Sequence, residues 1–87
     1  MDDKTYNKLR KKKLLDIDSE VSVIHQVKDF GSSTFDKEDV YNVVKINNNK
    51  LIGTSTIDGS ELVFTPEQIT MIDGMAPKRL CEAYRIK

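Results

Sequence analysis

Val40 to Asp73 reads VYNVVKINNNKLIGTSTIDGSELVFTPEQITMID, and its punctuation decides the fold. Three apolar-rich runs, Val40 to Ile46, Leu51 to Ile57 and Glu61 to Phe64, are separated by Asn47-Asn48-Asn49 and Asp58-Gly59-Ser60. Asn, Asp and Gly tolerate the positive φ that tight β-turns demand, so the spacing predicts an antiparallel meander. Thr65-Pro66-Glu67-Gln68 then offers a capping Thr, Pro at the first helical position and Gln three residues after the cap, which suits a single helical turn. Ile69 to Ile72 is expected to be a last short strand, closed by Asp73-Gly74.

Working outward, Val21, Val23, His25 and Val27 share one parity against Ser22, Ile24 and Gln26 on the other, the pattern of a half-buried strand. Between that strand and the meander lies KDFGSSTFDKED, Lys28 to Asp39. Its polarity, its Gly31-Ser32-Ser33 core and its isolated aromatics Phe30 and Phe35 predict a long loop. Asp2 to Leu15 has acids at its start and lysines at its end, the order that complements a helix dipole. Tyr6 and Leu9 are three apart but Leu14 and Leu15 fall on other faces, so much of this helix is expected to be solvated. Pro77 to Arg85 predicts a second helix with Pro77, Leu80, Cys81 and Tyr84 on one stripe. The expected fold is mainly β: one domain over residues 1–87, with a basic helix at 1–15, a β-rich body at 17–73 and a helix at 76–87.

Five short strands with a helical turn before the last resemble small SH3-like barrels, and Val40–Asp73 carries the resemblance. It implies a five-stranded antiparallel meander or barrel with a helix at each end. The chain departs from SH3 domains in having no Trp and no acidic-aromatic pattern for proline-rich peptides, so that activity does not transfer. In size and composition the chain also resembles small accessory proteins of phages and mobile elements of low-GC Gram-positive bacteria, with eleven lysines to three arginines and eight isoleucines.

Eighty-seven residues allow one small domain and exclude paired cofactor and substrate domains. Fourteen basic and fourteen acidic side chains cancel, yet they are segregated. Residues 1–13 carry six cations against two acids, residues 14–73 four against eleven, and residues 74–87 four against one. An acidic body between two basic ends is the result. The single cysteine, Cys81, excludes an intrachain disulfide, fits a reducing cytoplasm and leaves no second thiol to begin a zinc cluster. No apolar run has the length of a membrane span, so no membrane partner is expected.

Chemistry-bearing arrangements are few. His25 and Cys81 are the only thiol–imidazole combination, and both sit on apolar faces, as core-margin residues do. Asp16-x-Asp18-x-Glu20 begins like a calcium loop but places Val21 and Val27 where Gly and a bidentate Glu are required. The four glycines are too scattered for a nucleotide-binding loop. No catalytic residue, metal site or cofactor is therefore expected, and the chain reads as a binding protein without chemistry of its own.

Two sets of binding residues emerge. Phe35 offers an apolar anchor just before the acidic Asp36-Lys37-Glu38-Asp39 stretch, while Lys78 and Arg79 occupy the first turn of a helix, where cations are disfavoured unless a counter-charge meets them. These three residues suit docking on another protein. Arg10, Lys11, Lys12 and Lys13 fan around a helix end and suit the alternative, sequence-independent contact with nucleic-acid phosphates.

Overall fold

In a computed structural model that describes residues 1–31 and 33–87, the chain forms one open antiparallel sheet with a short helix near each end. The elements run α1 (Asp3–Lys11), β1 (Glu20–Lys28), β2 (Thr34–Asn47), β3 (Lys50–Ser55), β4 (Glu61–Phe64), a 3-10 turn (Pro66–Gln68), β5 (Ile69–Ile72) and α2 (Pro77–Ala83). Sheet order is β4-β3-β2-β1-β5, so β4 and β5 are its edges. The meander predicted from the turn residues is present, with Asn48 at φ 55° and Gly59 at φ 73° in the two turns. Asp73 and Gly74, at φ 49° and 82°, close a tight turn in which Ile72 and Met75 exchange both backbone hydrogen bonds.

Two bulges adjust which side chains point inward. Val43 pairs with Gly53 and Lys45 with Ile52, leaving Val44 as the extra residue. Val43 is therefore buried, Val44 is exposed, and Ile46 returns to the covered face. The second bulge, at Ser22/Val23, fits β5 against β1. Along the 3-10 turn Gln68 accepts a bond from the Thr65 backbone and donates its amide to the Ile24 carbonyl, which ties the turn to β1.

The core lies between one face of the sheet and the helices: Tyr6, Leu9 and Leu15, then Val21, Val23, Tyr41, Val43, Leu51, Phe64, Ile69 and Ile72, then Leu80. The Tyr6 hydroxyl donates to the Asn48 carbonyl at 2.6 Å, which fastens α1 to the β2–β3 turn and satisfies a buried polar group. Burial raises the Tyr6 phenol above its ordinary range. At the other end of the helix, bonds from the Thr5 side chain and backbone hold the capping Asp2 carboxyl below its usual range.

Several expectations are corrected. Both helices are shorter than their sequence patterns suggest, because each ends in the same reversal. Lys13 donates to Arg10 and Leu14 to Leu9, while Arg85 donates to Glu82 and Ile86 to Cys81. These pairs are the bonds of a Schellman motif, with Lys13 (φ 57°) and Arg85 (φ 52°) where glycine is usual. The reversal after α1 carries Leu15 into the core, where it is fully buried and no longer part of the helix. After α2 the reversal packs Ile86 against the core and leaves Tyr84, expected on the buried stripe, 61% exposed.

The αL backbone of Lys13 and Arg85 gives a direct test. Lys13→Gly and Arg85→Gly should each stabilise the domain by about 0.5–1 kcal/mol in urea denaturation, since loss of the Cβ penalty exceeds the added chain entropy of glycine. A loss of stability at either position would show that the side chain makes contacts that outweigh the strain.

The long loop expected over Lys28–Asp39 does not form. β1 and β2 are one continuous hairpin, paired from Glu20↔Asn42 to Lys28↔Thr34, so most of the expected loop is strand. Ser32, part of the expected loop, lies outside the described residues. β5 pairs with β1 only as far as Val23, and β3 with β2 only from Tyr41 onward. Beyond Ile24↔Glu38, whose Ile24 carbonyl is still tied to Gln68, the hairpin projects as a two-stranded arm of four rungs, from His25↔Lys37 to Lys28↔Thr34, roughly 14 Å long at the usual strand rise. The arm accounts for the elongated 46 × 21 × 20 Å envelope.

Candidate interaction surfaces

The arm places Phe35 differently from the sequence reading. Paired residues share a face, and two-residue steps from the buried Val21↔Tyr41 pair lead through Val23↔Asp39 and His25↔Lys37 to Val27↔Phe35. Phe35 therefore lies on the inner face of the arm beside Val27, 48% exposed. At the tip, Phe30 has no cover at all. Its turn is held by the Asp29 carboxylate, which accepts from the backbones of Gly31 and Ser33. Sequence reasoning passed over Phe30, although an aromatic one residue before Gly31 in a polar turn was a usable signal. Ile57, also largely exposed, comes from the β3–β4 turn to line a depression of 270 Å³ with Val27 at the base of the arm.

That depression holds the densest polar cluster. His25 Nε2 lies 2.8 Å from Asp39 Oδ2 and 3.4 Å from the Tyr41 hydroxyl, and Lys37 Nζ approaches the other Asp39 oxygen at 3.8 Å. Both partners of His25 use the same ring nitrogen. A nucleophile–base relay needs the carboxylate on one nitrogen and the nucleophile on the other, so this arrangement braces the arm and does not form a relay. Burial raises the Tyr41 phenol, and the nearby Asp39 and Asp58 carboxylates push in the same direction. Cys81 is not part of this group; it sits on α2 and lines a different depression.

Lys78 and Arg79 are exposed in the first turn of α2 and line a shallow hollow with Ala76 and Glu82. Neither forms an ion pair among the described residues. Among the described residues Phe35 makes no bond with them and lines neither hollow that holds Lys78, so Phe35 and the Lys78–Arg79 pair stand on separate parts of the surface.

The four basic residues of α1 separate in role. Arg10 turns inward, donating to Asp16 Oδ1 at 3.0 Å and to the Leu15 carbonyl at 3.2 Å, so it braces the turn after the helix. The Ile17 backbone N–H and then Arg10 hold the Asp16 carboxyl below its usual range, which is the use the chain makes of this aspartate. Lys13 occupies the αL position of the reversal. Lys11 and Lys12 are exposed, and with Lys8, Arg85 and Lys87 they line a hollow of 310 Å³. The two basic ends of the sequence thus meet in space, a convergence that linear spacing did not reveal.

A second hollow, of 420 Å³, lies between α1 and α2. Met1, Ile69, Pro77, Cys81 and Ile86 contribute apolar walls, and Lys8 and Lys78 stand beside them. Lys8 and Ile86 belong to both hollows, so they form one continuous interhelical groove.

No helix is long and apolar enough to cross a membrane among the described residues. Comparison with family models, curated proteins and solved structures yields no match for this chain.

Proposed function

We propose that the chain is a non-enzymatic accessory protein, of phage or mobile-element type and acting in the cytoplasm, that docks on a larger protein. The arm is the observation that carries this reading. A ribbon that projects beyond its sheet, tipped by a fully exposed Phe30 and carrying Phe35 and Val27 on one face, adds little to the packed core. Exposed aromatics of this kind are effective binding anchors. Asp29 and Asp36 accompany them, balanced by Lys28 and Lys37, so the matching surface is an apolar pocket with a polar rim of mixed charge. Lys78 and Arg79 supply a second, electrostatic contact. The five-strand order with a 3-10 turn before the last strand fits an SH3-like arrangement of the scaffold. The contacts of His25 with Asp39 and Tyr41 suit a brace at the root of the arm.

The test pairs binding with stability. Once a partner is isolated, Phe30→Ser should raise the off-rate roughly 10- to 100-fold in surface plasmon resonance, as expected of a central anchor. Its melting temperature should stay within about 2 °C of the parent, because the ring is uncovered in the free protein. Unchanged kinetics for both Phe30→Ser and Phe35→Ala would remove the arm from the interface.

The convergence of Lys8, Lys11, Lys12, Arg85 and Lys87 favours one further reading, contact with nucleic-acid phosphates. It requires affinity that falls steeply with salt for every sequence tested. The hollow has no aromatic wall on which bases could stack, which weighs toward protein.

A further inference from the structure

We propose that the groove between α1 and α2 is a binding site for an acidic peptide segment carrying an apolar anchor, on a surface that shares no residue with the arm. Three observations carry it. The groove is built in two parts: an apolar socket of 420 Å³, within the usual range for a ligand site, opens into a cationic hollow of 310 Å³. Its cations, Lys8, Lys11, Lys12, Lys78, Arg85 and Lys87, take part in no ion pair among the described residues. The one acidic side chain on its wall, Asp2, caps α1 by accepting the Thr5 backbone N–H at 2.8 Å, and the six cations outnumber it.

Helix dipoles explain part of this charge but not all of it. Lys11, Lys12 and Arg85 stand at helix C-termini, where cations are favoured; Lys78 stands in the first turn of α2, where a cation is disfavoured. An external anion beside the socket relieves that conflict. The apolar socket selects among anions. A phosphate backbone would use the cations and leave the half-buried Met1, Pro77, Cys81 and Ile86 facing water, whereas a peptide with carboxylates flanking a leucine or phenylalanine uses both parts.

The experiment titrates the full chain against a fluorescein-labelled probe of about twelve residues, rich in glutamate with two leucines four apart. Parallel probes replace leucine by serine, replace glutamate by glutamine, or substitute oligothymidylate of similar length. Saturable binding of the first peptide is expected, at least about tenfold weaker for each altered peptide and for the Lys8→Glu/Lys78→Glu variant. Maleimide alkylation of Cys81 should slow when the peptide is bound, since the thiol lines the socket. Phe30→Ser should bind the peptide as the parent does, which separates this site from the arm. The proposal is overturned by absence of saturation up to about 1 mM, by equal binding of the serine peptide, by tighter binding of oligothymidylate, or by full affinity in the double lysine variant.

Discussion

Phe64→Ala should cost about 3–5 kcal/mol, the range for truncating a buried phenylalanine when the structure cannot collapse around the space. Phe64 is 1% exposed, its ring centroid stands 6.2 Å from that of Tyr41, and it is the last residue of a four-residue edge strand. Its neighbours are held by β2 and β3, so they have little freedom to fill the gap. Against a total stability of about 4–13 kcal/mol for a domain of this size, the loss is a large fraction. Thermal denaturation followed by circular dichroism should show the melting temperature lowered by roughly 15–30 °C, or no cooperative transition at all. A shift of only a few degrees would mean that β4 is dispensable to the core.

Gly53→Val should destabilise by about 3 kcal/mol or more, and Gly53→Ala by about 1–3 kcal/mol, the usual range for forcing atoms into a packed site. A Cβ at position 53 would lie 2.9 Å from Phe64 Cε1, 2.9 Å from Tyr41 Cβ and 3.2 Å from the Asn42 carbonyl. Two of these contacts are too close for any carbon pair, and the second is to an atom fixed by its own backbone. Sign is what makes this test informative. In an ordinary strand position, valine would outperform glycine by up to about 1 kcal/mol through β propensity. Urea denaturation of Gly53→Ala, Phe64→Leu and the double variant should show a double cost smaller than the sum, because the leucine lacks the ring atom that the new Cβ meets. Strict additivity would place the clash elsewhere.

Legibility in the sequence followed burial. Glu61–Phe64 and Ile69–Ile72 were identified with their exact bounds, since turn residues flank them and one face of each meets the core. Val21, Val23 and His25 alternated for the same reason. Thr34 to Asp39 carried no such signal, because in a ribbon solvated on both faces neither parity has to be apolar. Backbone hydrogen bonds to β1 hold most of that segment, and these leave little mark on side-chain choice. Lys13 and Arg85 hid the helix ends, as a reversal normally announced by glycine is made here by long cations. The candidate surfaces were half visible: Phe35, Lys78 and Arg79 were named, while Phe30 and the meeting of the two basic ends depended on the hairpin and on the packing of α1 beside α2.

The arm has a consequence for how the molecule moves. Residues 21–23 of β1 have a neighbouring strand on each side, whereas residues 25–28 have one partner and open water beyond it. A single strand therefore crosses two dynamic regimes. Amides in its first part can exchange with solvent only when the domain opens broadly, and those in its second part exchange when four rungs unzip. Most of the opening equilibrium is thus confined to the segment with the exposed aromatics, braced at its root by the His25–Asp39 bond. A partner that grips Phe30 and Phe35 would slow that local unzipping, so occupancy would register as hydrogen-exchange protection in residues 25–28 and 34–37 while the sheet beneath kept its own rhythm.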